Sequence, residues 1–131
     1  MTVLEDFSGT PRFDMNEGLR RCMGKRDFLE ELSIVFVKDS LPLYYPVLKK
    51  GIKDKDFEVI AKNSHAIKGG CGAIGLIRAR DMAYVIEIAA KSEDIAKIEQ
   101  VMPLLADELD HVAGVITSGS IADLEEQEGD L

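Results

Sequence analysis

The chain has 131 residues, a formal net charge of −8 and 46% apolar residues, so it holds one ordinary domain with enough apolar material for a single core. The acidic balance argues against nonspecific binding of nucleic acid or of an anionic membrane, and with three Tyr, five Phe and no Trp a base-stacking platform is a poor fit. No apolar run approaches the ~20 residues of a membrane span, and the start MTVLEDFSGTPRFD lacks a basic stretch followed by an apolar one. Two cysteines, Cys22 and Cys71, make no disulfide framework, and a reduced, cytoplasmic protein is the simpler reading.

The hydrophobic spacing is helical throughout, and β-branched runs of period two are absent. Residues 1–12 read as an irregular lead-in ending near Pro11. A short helix follows from about Asp14 to Met23, stopped by Gly24. Asp27 with Glu30 three residues on suggests a capping box. The helix they open would bury Phe28, Leu32, Val35, Phe36, Leu43, Val47 and Leu48, with kinks at Pro42 and Pro46, and end at Gly51. A third helix should run from Asp54 or Lys55 toward Gly75, and a fourth from about Leu76 to Lys91. Ser92 is the expected cap of a fifth, with Glu93 and Asp94 in its first turn and a buried stripe from Ile95 to Ile116. Pro103 should kink it. Short linkers make successive helices antiparallel neighbours. The expected fold is therefore all-α: an antiparallel up-down four-helix bundle with an additional short N-terminal helix, over residues 13–118. Residues 119–131 hold five acidic residues and no basic one, and read as a solvated, disordered tail. The initial Met and the acidic end point to a free-standing protein.

Charge reverses in the middle of the chain, where Lys62, Lys68, Arg78, Arg80 and Lys91 outnumber Glu58, Asp81 and Glu87. The same region carries the most informative segment, Asn63-Ser-His-Ala-Ile-Lys-Gly-Gly-Cys-Gly-Ala-Ile-Gly-Leu76. At about 100° per residue, Phe57, Ile60, Ala61, Ile67, Cys71 and Ile74 form one apolar face, and His65 lies roughly 120° from its centre. Lys62 and Lys68 fall one turn to either side of His65, and Gly69 and Gly72 follow it by one and two turns. Glycine costs a helix interior about 0.5–1 kcal/mol relative to alanine, so four glycines between 69 and 75 call for a compensating reason. Clearance for a closely approaching group is one. A neutral imidazole is a competent nucleophile near neutral pH, a lysine at i+3 can steady phosphoryl oxygens, and in-line transfer needs an open approach.

His65-Ala-Ile-Lys68-Gly69, then Gly72, then Gly75-Leu76, resembles the signature of histidine-containing phosphotransfer domains. Phe13-Asp14, Phe36, Asp56-Phe57 and a fourth helix bearing Glu87 extend the resemblance over about residues 13–116. It implies a phosphorelay intermediate with His65 as the phosphorylated residue and Lys68 as its phosphate-stabilising partner. It implies a docking surface for receiver domains of response regulators or hybrid kinases, for which Lys62, Gly69, Gly72, Gly75, Arg78, Glu87 and Lys91 are the candidates, with Gly72 and Gly75 also permitting close packing of the helix pair. It also implies a monomer with no ATP site and no cofactor of its own, the receiver supplying Mg²⁺ and the aspartate. In this reading the chain is a phosphoryl carrier rather than a kinase.

Other readings fit less well. Gly70-Cys-Gly72-Ala-Ile-Gly75 matches G-x-G-x-x-G, but Lys62 to Lys68 make no apolar strand before it and no Walker A lysine follows. His65, Cys71 and His111 match no standard metal-ligand spacing, and His111 with Asp107 reads as a solvated pair on the last helix. A helical interaction module without chemistry is the main alternative, and in it His65 would be replaceable.

Overall fold

Side-chain caps set three of the helix starts in the computed structural model, which describes residues 6–125. Asp14 accepts from the Glu17 N–H and opens α1 (Met15–Arg21). Asp56 accepts from Val59 N–H before α4 (Phe57–Ala73), and Asp94 from Lys97 N–H before α6 (Ile95–Ser118). Between them lie α2 (Arg26–Val35), α3 (Leu41–Asp54) and α5 (Ile77–Lys91). No strand occurs among the described residues, and none of their helices is long and apolar enough to cross a membrane.

The caps correct two expectations. Lys25 precedes α2 with no side-chain cap, so Asp27 sits inside the first turn and forms no capping box with Glu30. Glu30 instead accepts from the Ser120 hydroxyl, far along the chain. Ser92 is the C-cap of α5, not the N-cap of α6; Glu93 takes a positive φ of 55° there and Asp94 caps.

The predicted continuous helix from Asp27 to Gly51 is two helices joined by a π-helical turn, Phe36–Ser40. Pro42 lies in the first turn of α3, where its missing N–H costs least. The wider turn just before it relieves the clash a proline ring makes with the preceding turn. The buried face of this region is Leu29, Ser33, Phe36 and Leu48. Phe28, Val35, Leu43 and Val47, expected inside, are exposed. In α2 the buried set is one residue out of phase with the predicted one, while Phe36 in the π turn and Leu48 in α3 are buried as expected.

In the middle of the fold α4 packs against α3 and, most extensively, α5, and α5 packs on α6. α4 buries Ile60, Ile67 and Cys71, α5 buries Ala79, Met82, Ala83 and Ile86, and α6 buries Ile98 to Ile116 along the predicted stripe. Pro103 lies on the exposed side of α6, where water can satisfy the carbonyl it leaves unpaired. Ile121 and Leu124 are fully buried, so part of the predicted tail belongs to the core, each such side chain contributing about 1.5–3 kcal/mol. Residues 126–131 of that tail lie outside the described residues. At the other end residues 1–5 of the lead-in lie outside the described residues, and its remainder is fastened down: Phe7 is buried, Arg12 pairs with Glu108 at 2.8 Å, and Arg78 donates to the Thr10 carbonyl.

Two glycines make the α4–α5 turn possible. Gly75 has φ +79°, and a Cβ there would stand 2.5 Å from the Asp14 carbonyl oxygen. Across the same gap a Cβ on Gly18 would meet the Ile74 carbonyl oxygen at 3.1 Å, and the Asp14 N–H donates to the Gly75 carbonyl. Backbone thus lies on backbone, which only glycine permits. Gly69, by contrast, has nothing within 4 Å of its Cβ position. Gly75→Ala should therefore destabilise the fold by about 1–3 kcal/mol. Gly69→Ala should stabilise it by about 0.5–1 kcal/mol. Urea unfolding of the two variants checks both signs.

Candidate functional site

α4 satisfies its own buried polar groups, which leaves His65 facing outward. The Ser64 hydroxyl donates to the Ile60 carbonyl and the Asn63 amide to the Val59 carbonyl. His65 is exposed, with 65% of its side chain open to solvent. Beneath it lies Glu87 of α5, whose side chain is 5% exposed. Glu87 Oε2 is 2.9 Å from His65 Nδ1 and 3.2 Å from Lys91 Nζ. Glu87 Oε1 is 2.7 Å from Lys68 Nζ. It is the shortest of the three contacts to this carboxylate. The Lys68 ammonium also lies over the Tyr84 ring, 5.0 Å from its centre.

Burial alone would raise the Glu87 pKa. Hydrogen bonds from Lys68, Lys91 and His65, with the charge of Lys68, outweigh it and hold the carboxyl below the ordinary glutamate value of 4.5. An ionised carboxylate only accepts, so Nδ1 of the neutral imidazole carries the proton and Nε2 keeps its lone pair. Nε2 has no partner among the described residues. The result is an exposed nucleophilic nitrogen, an ammonium one turn along, and open backbone at Gly69.

The other predicted docking residues separate. Lys62 is exposed one turn before His65, and Lys91 is exposed at the end of α5. Gly72 is half-buried under the Arg80 side chain, whose Cδ would lie 3.4 Å from a Cβ there. Gly75 and Glu87 are buried, so neither belongs to a docking surface; the first shapes the turn and the second holds the histidine. Arg78 also leaves that surface. It is half-buried on the lead-in and stands nine residues before Glu87 on α5, roughly 13 Å along the axis.

The structure does not bring His65, Cys71 and His111 together. Cys71 is fully buried, and burial with the nearby Glu108 charge pushes its thiol well up, while His111 is exposed on α6. Among the described residues no three His, Cys, Asp or Glu side chains are grouped to hold a metal ion. Gly70 to Gly75 run from the last turns of α4 into the turn after it, with no strand before them. Tyr84 and the holding role of Glu87 escaped the sequence. The Glu87–Lys91 spacing of four was visible, but not that α4 and α5 meet at His65.

A family model, the Hpt domain, matches residues 28–114. The chain belongs to the Hpt domain family. No curated protein and no solved structure matches it. Hpt domains serve histidine phosphotransfer in phosphorelays and interact with receiver domains. The match spans α3, α4 and α5 whole, and with them His65, Lys68 and Glu87.

Because the Glu87 pKa is lowered by folding, the unfolded chain binds more protons than the folded one as pH falls below 4.5. Glu87 therefore contributes stability that is fully present above that value and lost as pH falls through its lower folded value. Comparing wild type with Glu87→Gln by denaturant unfolding, the wild-type advantage should be constant near neutrality and shrink below pH 4.5. An advantage that grows on acidification would contradict this.

Proposed function

We propose that this Hpt chain accepts a phosphoryl group on His65 Nε2 from the aspartyl phosphate of one receiver domain and passes it to the aspartate of another. The observation that carries the proposal is the exposed imidazole whose Nδ1–H is held by a buried carboxylate, with the Lys68 ammonium on the same carboxylate.

In the transfer step Nε2 attacks phosphorus, the N–P bond forms, and the P–O bond to the aspartate breaks, releasing a carboxylate. No proton need move. The Nδ1 proton stays on the ring, which becomes a phosphoimidazolium, and Glu87 balances the ring charge. That same positive ring is a good leaving group when the next aspartate attacks. Lys68 turns from Glu87 to the phosphoryl oxygens, and bare Gly69 admits the receiver's loops without a side chain in the path. Mg²⁺ is left to the receiver, and no residue of this chain is assigned to it. In this reading the chain is a carrier without an ATP site and acts as a monomer in the cytoplasm. Its four long segments, α2 with α3, then α4, α5 and α6, form an up-down bundle that keeps His65 rigid.

A helical interaction module without chemistry remains the contrasting reading, and a labelling experiment separates the two. Incubation with a phosphorylated receiver domain should place an acid-labile, base-stable label on wild type and none on His65→Gln. Lys68→Met should slow labelling roughly tenfold or more, the cost of one charge-assisted contact to the phosphoryl group. Label persisting in His65→Gln would overturn the proposal.

A further inference from the structure

The proposed transfer asks Lys68 to leave Glu87, and a buried carboxylate stripped of its cation is costly. The two oxygens of Glu87 are divided in a way that meets this demand. Oε1 faces Lys68 alone, at 2.7 Å. Oε2 holds both His65 Nδ1 at 2.9 Å and Lys91 Nζ at 3.2 Å. The mobile partner and the retained partners are thus on different atoms. Lys68 can swing away without disturbing the oxygen that orients the imidazole.

Charge leads to the same place. Glu87 faces two ammonium groups, one more than neutrality requires. A phosphoryl group adds about two negative charges beside them. With Lys91 present, one ammonium can go to the phosphoryl group while the other stays on the carboxylate. The ring cation faces Glu87 only once the N–P bond has formed, so the demand falls on the approach: without Lys91, phosphoryl and carboxylate then compete for Lys68. The Lys91 side chain is 62% exposed, so its ammonium is not held there by packing. It comes from the last turn of α5, four residues after Glu87, where helix geometry brings the pair together.

We infer that Lys91 is the reserve counter-ion of Glu87, a positioning residue that frees Lys68 for the phosphoryl group rather than a docking contact. The inference rests on the phosphotransfer proposal and deepens it. It also makes Lys91 act only through a charged Glu87, which a contact to the partner would not do.

The test uses the full chain and phosphoramidate, a phosphoryl donor that needs no partner protein. His65 Nε2 attacks phosphorus, the P–N bond of the donor breaks, and ammonia leaves carrying a solvent proton. Rates are read from the phosphorus NMR signal of phosphohistidine. Lys91→Met should slow labelling about fivefold, and Lys91→Arg should restore it. In a Glu87→Gln background, where there is no carboxylate charge to hold, Lys91→Met should change nothing. An unchanged rate in Lys91→Met alone, or the same loss in both backgrounds, overturns the inference and leaves the proposed function standing. A wild-type chain that takes no label from phosphoramidate or from a receiver overturns the proposed function, and the inference falls with it.

Discussion

Glu87 sits under His65 almost out of contact with water, and three donors from two helices converge on its carboxylate. Two of the three donors are ammonium groups, which keep it ionised despite its burial. Its ionisation in turn decides which imidazole nitrogen bears the proton. A neutral side chain at this position would orient the ring but would not hold a second cation in store. The site therefore has an electrostatic character that the histidine and lysine motif alone does not convey.

That arrangement requires α4 and α5 to meet in one register. The register is set well away from the histidine, at the turn where Gly75 and Gly18 let α1 lie directly on the carbonyls that join the two helices. The Asp14 N–H on the Gly75 carbonyl then ties the short first helix to the turn. The glycines after His65 are not one feature repeated. Gly69 is open to solvent, Gly70 is where the Phe36 ring packs, with its Cε1 2.7 Å from where a Cβ would be, and Gly75 turns the chain. The helix tolerates their intrinsic cost because tertiary packing on its other face outweighs it.

The lead-in and the last described residues contribute in a less visible way. Phe7, Ile121 and Leu124 close the core from the two ends of the chain. The Arg12–Glu108 pair and the Arg78 bond to Thr10 fasten the lead-in on the α5–α6 side, so Arg78 serves the fold rather than the face bearing His65.

Helical class, most helix boundaries, the His65–Lys68–Gly69 spacing and the outward aspect of His65 were legible in the sequence, because each depends on residues within a turn or two of one another. The buried stripe of α6 was legible for the same reason: long periodic runs average out local noise. What escaped depends on contacts between distant segments. The π turn before Pro42 escaped, since no periodicity count allows for an extra residue in a turn, and Leu43 and Val47 of α3 face water. Ser120 met Glu30, and Ile121 and Leu124 found the core, although the charges around them read as a tail. Above all, only the packing of α5 on α4 made Glu87 the holder of the histidine, since a glutamate on an amphipathic helix looks the same in sequence whether it meets water or an imidazole. Local spacing thus determined which groups carry the chemistry, and the register between helices decided which of them touch.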